Sequence, residues 1–108
     1  MEMVARFDIY LVSLDAGSPA SAKDTRPAVV VSPDEMNRHL STVLIAPVAT
    51  SVANYPSRTT VSILNAERLI VLDQIRCVDR SRLVKKIGEI DEGSRDTICA
   101  RLTEMFAK

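Results

Sequence analysis

Apolar residues in this chain come in short runs divided by polar stretches rich in Ser, Asp, Pro and Asn. Phe7 to Leu14 reads as a strand with Phe7, Ile9 and Leu11 on one face. The eleven residues Asp15 to Thr25 follow, long for a hairpin connection and therefore a candidate functional loop. Pro27 to Ser32 reads as a short buried strand, with proline at the first position, where it is tolerated. Pro33 to Ser41 is a polar turn with room for one turn of helix, and Thr42 to Val48 is a further apolar strand. Ser51 to Ser57 forms a second irregular loop, and Arg58 to Leu64 alternates polar and apolar as a half-buried strand does. Leu69 to Asp79 is the longest predicted strand; Asp79 to Leu83 reads as a helical turn and Lys86 to Ile90 as a last short strand.

The pattern changes near the end. Ile98, Leu102, Met105 and Phe106 recur at helical spacing, with Asp91 placed to cap the helix and Glu92 to complement its dipole. The expected fold is mainly β with α: a small, bent antiparallel sheet closing into a barrel, with one C-terminal helix. Closure suits many short strands because it removes exposed edges.

A length of 108 residues gives one domain, 1–108, with a single modest core. No apolar run approaches the roughly 20 residues of a membrane span. The start, Met1 to Arg6, has neither the basic opening nor the apolar stretch of a signal peptide, so a cytoplasmic protein without membrane contact is expected. Net charge is zero, but its distribution is uneven. Residues 1–50 carry four basic and six acidic side chains, and residues 51–108 carry ten and eight. Arg76, Arg80, Arg82, Lys85 and Lys86 lie close together; such a cluster suits a phosphate backbone, a solvated face or a subunit contact. Cys77 and Cys99 lack metal-ligand spacing, no HExxH or CxxC occurs, and three glycines make no phosphate loop, so no metal or cofactor is expected.

One phrase carries the sharpest chemistry. Thr25-Arg26-Pro27-Ala28-Val29 holds an arginine where a loop enters an apolar strand. Pro27 fixes its own φ and biases Arg26 toward extended backbone, so the guanidinium stands on a stiff base and suits a phosphate. A second candidate is Asp73. Strict alternation sets it on one face with Leu69, Val71, Ile75 and Cys77, a lone carboxylate in an apolar line that needs a partner if buried. Gln74 and Arg76 then project from the opposite face, toward solvent, RNA or another subunit. Tyr55 is the sole aromatic residue of the second loop, able to stack on a base. His39 sits in a polar stretch with nothing nearby to suggest a triad.

Taken in order, Asp8 to Asp15, Thr25 to Ser32, Ala46-Pro47-Val48, Leu72-Asp73-Gln74-Ile75-Arg76 and Asp79 to Leu83 closely resemble the MazF/PemK family of toxin endoribonucleases, across roughly residues 6–106. The resemblance implies an SH3-like barrel, a homodimer and metal-independent cleavage of single-stranded RNA by attack of the ribose 2′-OH. It also implies a MazE-like cognate antitoxin whose C-terminal segment occupies the RNA groove. Arg26 aligns with the family's catalytic arginine. Ala49 stands where the family has a catalytic threonine, and Thr50, the next residue, is the candidate to replace it. Asp73 and Asp24 are the candidate general bases, and Lys23, Asp24, Thr25, Tyr55, Gln74 and Arg76 the candidate RNA contacts. The opening Ala5 to Tyr10 also resembles the start of CcdB-type gyrase poisons, so a gyrase poison or a catalytically inactive antitoxin-binding relative is the alternative.

Overall fold

The computed structural model describes residues 3–13, 25–49, 58–63 and 66–107. Among the described residues there are seven strands: β1 (Asp8–Ser13), β2 (Thr25–Val30), β3 (Thr42–Ala49), β4 (Arg58–Ile63), β5 (Ala66–Val71), β6 (Arg76–Asp79) and β7 (Leu83–Glu89). A short helix α1 (Asp34–His39) joins β2 to β3, and α2 (Glu92–Phe106) ends the fold. The ladder runs β4-β5-β3-β2-β1-β7, with β6 on β3 as well, and every pairing is antiparallel.

The centre of the sheet is β3. One edge pairs with β2 through Ile45, Ala46 and Pro47. The other edge is shared: β6 takes Thr42 to Ile45, and β5 takes Val48 and Ala49. Pro47 falls at the changeover between these partners, where its missing N–H costs the ladder least. Pro27 is placed by the same logic, because the β2–β3 ladder begins one residue later, at Ala28.

The single strand predicted over Leu69 to Asp79 is broken. A 3₁₀ turn, Leu72–Gln74, divides it into β5 and β6. Leu69 faces Ala49 and Arg76 faces Ile45, so seven steps of this strand span four of β3, and three residues are extra. An odd number of extra residues reverses which side chains share a face. Arg76 and Val78, rather than Ile75 and Cys77, therefore continue the face of Leu69 and Val71. Leu72 fills the corner at 0% exposure, which is what holds the turn in place.

Both faces of the central strands are apolar, which explains their near-continuous hydrophobic runs. On one face Ile9, Val29, Ala46, Ile70 and Leu72 pack with Ile98 of α2. On the other Tyr10, Val12, Ala28, Val30 and Ile45 pack with Val4 and Val78. The Asp91 side chain accepts the Ser94 N–H at 3.2 Å and starts α2 as predicted. Ile98 is fully buried and Leu102 and Met105 pack against the first cluster, but Phe106 is 76% exposed and stands outside the predicted stripe.

β1 begins one residue later than predicted. Phe7 has φ 75°, a left-handed conformation that costs a non-glycine residue on the order of 1–3 kcal/mol. The surroundings over-determine it. Its N–H donates to the Val30 carbonyl at 2.8 Å, its carbonyl accepts from Ile90 N–H at 3.0 Å, and the Arg6 and Arg95 guanidinium groups lie 5.3 and 5.4 Å from its ring centroid.

Candidate nucleic-acid interface

Arg26 is the second residue of β2, across from Val12 on β1. Its side chain is exposed and makes no ion pair or hydrogen bond with a described residue. Cross-strand partners share a face. Arg26 therefore extends the row of Val30 and Ala28 at the point where the apolar cluster under that face gives way to solvent. The β2–β3 register, carried two residues beyond Ala28 and Pro47, sets half-buried Ala49 opposite Arg26. Thr50, Lys23, Asp24 and Tyr55 lie outside the described residues.

Thr25 is half-buried and pairs with Ser13, the last residue of β1. Arg82 Nη1 donates to the Ser13 carbonyl at 3.5 Å. A second guanidinium thus stands at the same end of the sheet as the Thr25-Arg26 phrase. Its position comes from the turn before it: Asp79 accepts the Ser81 N–H at 2.9 Å and caps Arg80–Arg82. Those bonds from Ser81, with the Arg82 charge behind them, hold the Asp79 carboxyl below its usual value. Arg82 belongs to the basic cluster visible in the sequence; what the sequence did not show was that a β1–β7 ladder carries it to the mouth of the first loop.

Arg76 is exposed, across from Ile45, and shares a face with Arg26. Four residues along the strand and two strands across separate their Cα atoms, about 16 Å in a flat sheet. Asp73 and Gln74 are both exposed on the 3₁₀ turn. The burial expected of Asp73 is not observed, because the turn lifts it off the strand face that alternation assigned to it.

The buried acid is instead Asp8, at 1% exposure. It accepts the Ala5 N–H at 2.9 Å and pairs with Lys86 Nζ at 3.2 Å. The Asp8 hydrogen bond raises the Lys86 pKa above its ordinary value. Sequence reading passed over Asp8 because it sits at a strand start, where a solvated acid is unremarked. His39 is exposed and lies 3.4 Å from Glu35, and no group of three or more His, Cys, Asp or Glu side chains able to hold a metal occurs among the described residues. No helix among them is long and apolar enough to cross a membrane.

This geometry defines a class: a small antiparallel sheet with a C-terminal helix, carrying the exposed Arg26 and Arg76 on one face. Within that class the chain belongs to the PemK-like, MazF-like toxins of type II toxin–antitoxin systems, whose family profile matches residues 5–106. The endoribonuclease MazF of Staphylococcus epidermidis is 29% identical over 96 residues, covering 83% of this chain and 80% of that protein. A MazE–MazF crystal structure from Deinococcus radiodurans matches with a TM-score of 0.80 at 19% identity, over 99% of this chain and 98% of that one. A mycobacterial endoribonuclease in complex with its cognate antitoxin matches with a TM-score of 0.79 at 20% identity, over 94% and 92%. These two likenesses show the fold, a mostly antiparallel sheet with a C-terminal helix, as the sequence predicted.

Proposed function

We propose that this MazF-family endoribonuclease cuts single-stranded RNA without a metal, using Arg26 to stabilise the transition state. The observation that carries the reading is the exposed Arg26 guanidinium on a strand stiffened by Pro27 and backed by a buried core. In such a reaction the ribose 2′-oxygen bonds to the adjacent phosphorus as the bond to the 5′-oxygen breaks. The 2′-OH proton passes to a base and the 5′-oxygen takes a proton, leaving a 2′,3′-cyclic phosphate. The substrate supplies the nucleophile, so the protein's part is to hold the strand, move protons and balance charge on the phosphorane. A guanidinium meets the last demand because it stays charged and offers a planar fork.

Asp73 and Asp24 are the carboxylates proposed for the 2′-OH proton, and Thr50 the hydroxyl proposed beside the phosphate. Lys23, Thr25, Tyr55, Gln74 and Arg76 are the proposed strand contacts. The protein works as a homodimer in the cytoplasm, where its substrate is, and a MazE-like antitoxin blocks the groove with its C-terminal segment. Half-buried Ala49 across from Arg26 brings no hydroxyl, and this favours the second reading, an inactive or gyrase-directed relative. Purified protein with long single-stranded RNA in excess chelator separates the two. Fragments ending in cyclic phosphate, lost in Arg26→Ala, are expected. Intact RNA, or full activity in Arg26→Ala, overturns the mechanism, and gyrase inhibition without RNA cleavage establishes the alternative.

A further inference from the structure

Among the described residues, the start of β2 is paired on one side. The β2–β3 ladder takes Ala28, Val29 and Val30, whereas Thr25 and Arg26 pair with Ser13 and Val12 of β1. The stretch that carries the Arg26 guanidinium is thus only as fixed as the last two rungs of the β1–β2 ladder. β1 is in turn backed by β7, but that ladder stops at Val12, which faces Leu83, the first residue of β7. Ser13 is wholly buried and lies one step beyond it.

Arg82 stands at that step. It is the residue before β7, half-buried, and its Nη1 donates to the Ser13 carbonyl at 3.5 Å. A side chain thus continues the row where the backbone of β7 has turned away. At that length charge matters more than geometry: the guanidinium attracts the carbonyl dipole in surroundings that screen it less than water does. The base of Arg82 is fixed as well. The Asp79 carboxylate accepts the Ser81 N–H at 2.9 Å, the Arg80 N–H donates to the Ser41 carbonyl at 2.7 Å, and the Leu83 N–H closes the 3₁₀ turn on the Arg80 carbonyl.

We infer that Arg82 is a positioning residue for the cleavage: by holding the Ser13 carbonyl it keeps the Ser13–Thr25 and Val12–Arg26 rungs closed, and so aims Arg26. The inference rests on the RNA-cleavage reading and adds the group that fixes the direction of its arginine. Arg82 acts through the β1–β2 ladder and touches no reacting atom. Misplacing a reacting group by about 1 Å can cost a hundredfold in rate, so partial fraying of these rungs is enough to register.

Two variants test it. Arg82→Gln removes the charge and shortens the reach, whereas Arg82→Lys keeps a charged donor on a long stem. In Arg82→Gln, single-turnover cleavage of a long RNA is expected to slow about tenfold at saturating protein, with half-saturation unchanged. Arg82→Lys is expected to recover most of that rate. On an Arg26→Ala background Arg82→Gln is expected to cost nothing further, because it acts through that guanidinium. Backbone order parameters of Thr25 and Arg26 should fall in Arg82→Gln from about 0.85 toward about 0.6, while Val29 and Val30 keep theirs. Should Arg82→Gln not fold, Arg82→Met keeps the apolar stem and carries the same expectations. Wild-type rates and order parameters in the variant overturn the inference. So does a tenfold loss repeated on the Arg26→Ala background, which gives Arg82 a separate role. So does a slope of log affinity against log salt lowered by about one for a non-cleavable 2′-O-methyl RNA, the mark of a direct phosphate contact. Wild-type protein that leaves RNA intact defeats the nuclease reading and the catalytic half of this inference with it, whereas unchanged order parameters in an active protein defeat the brace alone.

Discussion

The two ends of β2 are built for opposite purposes. At its far end Val29 and Val30 are wholly buried and the chain runs into Ser32, also at 0% exposure. Ser32 Oγ donates to Asn37 Oδ1, Asn37 Nδ2 donates back to the Ser32 carbonyl at 3.0 Å, and the Leu44 N–H donates to Ser32 Oγ at 3.2 Å. A side-chain network thus joins β2, α1 and β3. Four residues before Val30, Arg26 stands exposed with no partner among the described residues. The buried end fixes the direction of the exposed end. A guanidinium on a strand locked in this way needs little reorganisation to meet developing charge, and that preorganisation is where electrostatic catalysis gains most.

The largest effect expected is at the exposed end. Arg26→Ala should lower the cleavage rate by a hundredfold or more, about 3 kcal/mol of barrier, by analogy with a lost oxyanion donor. Unfolding stability should change by less than about 0.5 kcal/mol, as for other surface substitutions. Single-turnover rates and thermal melts check both. A melt lowered by several degrees would show that Arg26 helps to hold the fold, and the contrast between the two ends would fail. At the buried end the reverse is expected. Asn37→Ala takes away the acceptor of the buried Ser32 O–H and a donor to the Ser32 carbonyl, and should cost about 2 kcal/mol of stability. Cleavage per folded molecule should stay at the wild-type level; a fall in rate without a fall in Tm would reverse the assignment.

The same contrast explains what the chain reveals before it folds. The central strands are legible because both of their faces are buried, so Phe7 to Leu14, Pro27 to Ser32 and Thr42 to Val48 read as apolar runs whichever way they turn. Arg26 is legible because Pro27 restricts it locally. Faces farther along are not legible. The three extra residues at Leu72–Gln74 look like ordinary strand, since Leu72 is apolar and Gln74 tolerable, yet they reverse every side chain after them. For that reason Asp73, which alternation sets in an apolar line, stands exposed. Burial of Asp8 depends on Lys86, which is distant in sequence and brought close by the β1–β7 ladder, with register shifts after Ile9 and Leu11. The left-handed Phe7 is equally hidden, because the bonds that enforce it come from Val30 and Ile90.

The Asp8–Lys86 pair lies on the Arg26 side of the sheet, and it tests whether that side contributes stability of its own. Lys86 is 37% exposed, so solvent screens the pair, and Lys86→Gln should cost only about 1 kcal/mol. Its pH dependence has a definite sign. A lysine whose pKa is raised by folding stabilises fully below its ordinary value of 10.5, and that contribution disappears as pH rises through the higher folded value. Wild type and variant should therefore differ by a constant amount from neutral pH to about 10 and converge above it. A gap that persists in strong alkali would show that Lys86 acts by packing its stem rather than by charge.

The smallest effect reaches the buried end only. Asp91 caps α2, whose Ile98 packs with Val29 in the first apolar cluster. The bonds from Ser94 hold its carboxyl below the ordinary 3.8. A lowered carboxylate contributes stability above its unfolded value and loses it as pH falls through the folded one. Asp91→Ala should thus lower Tm slightly at neutral pH, and the gap to wild type should close below about pH 3.8. Asp79 titrates in the same window with the same sign, so the difference between the two proteins, rather than the wild-type curve alone, isolates the cap. Because the cap acts on the helix and the helix on the buried end of β2, RNA cleavage at neutral pH should be unchanged. A drop in rate matching the drop in Tm would mean that the stiffness of β2, and with it the aim of Arg26, depends on the helix packed beneath it.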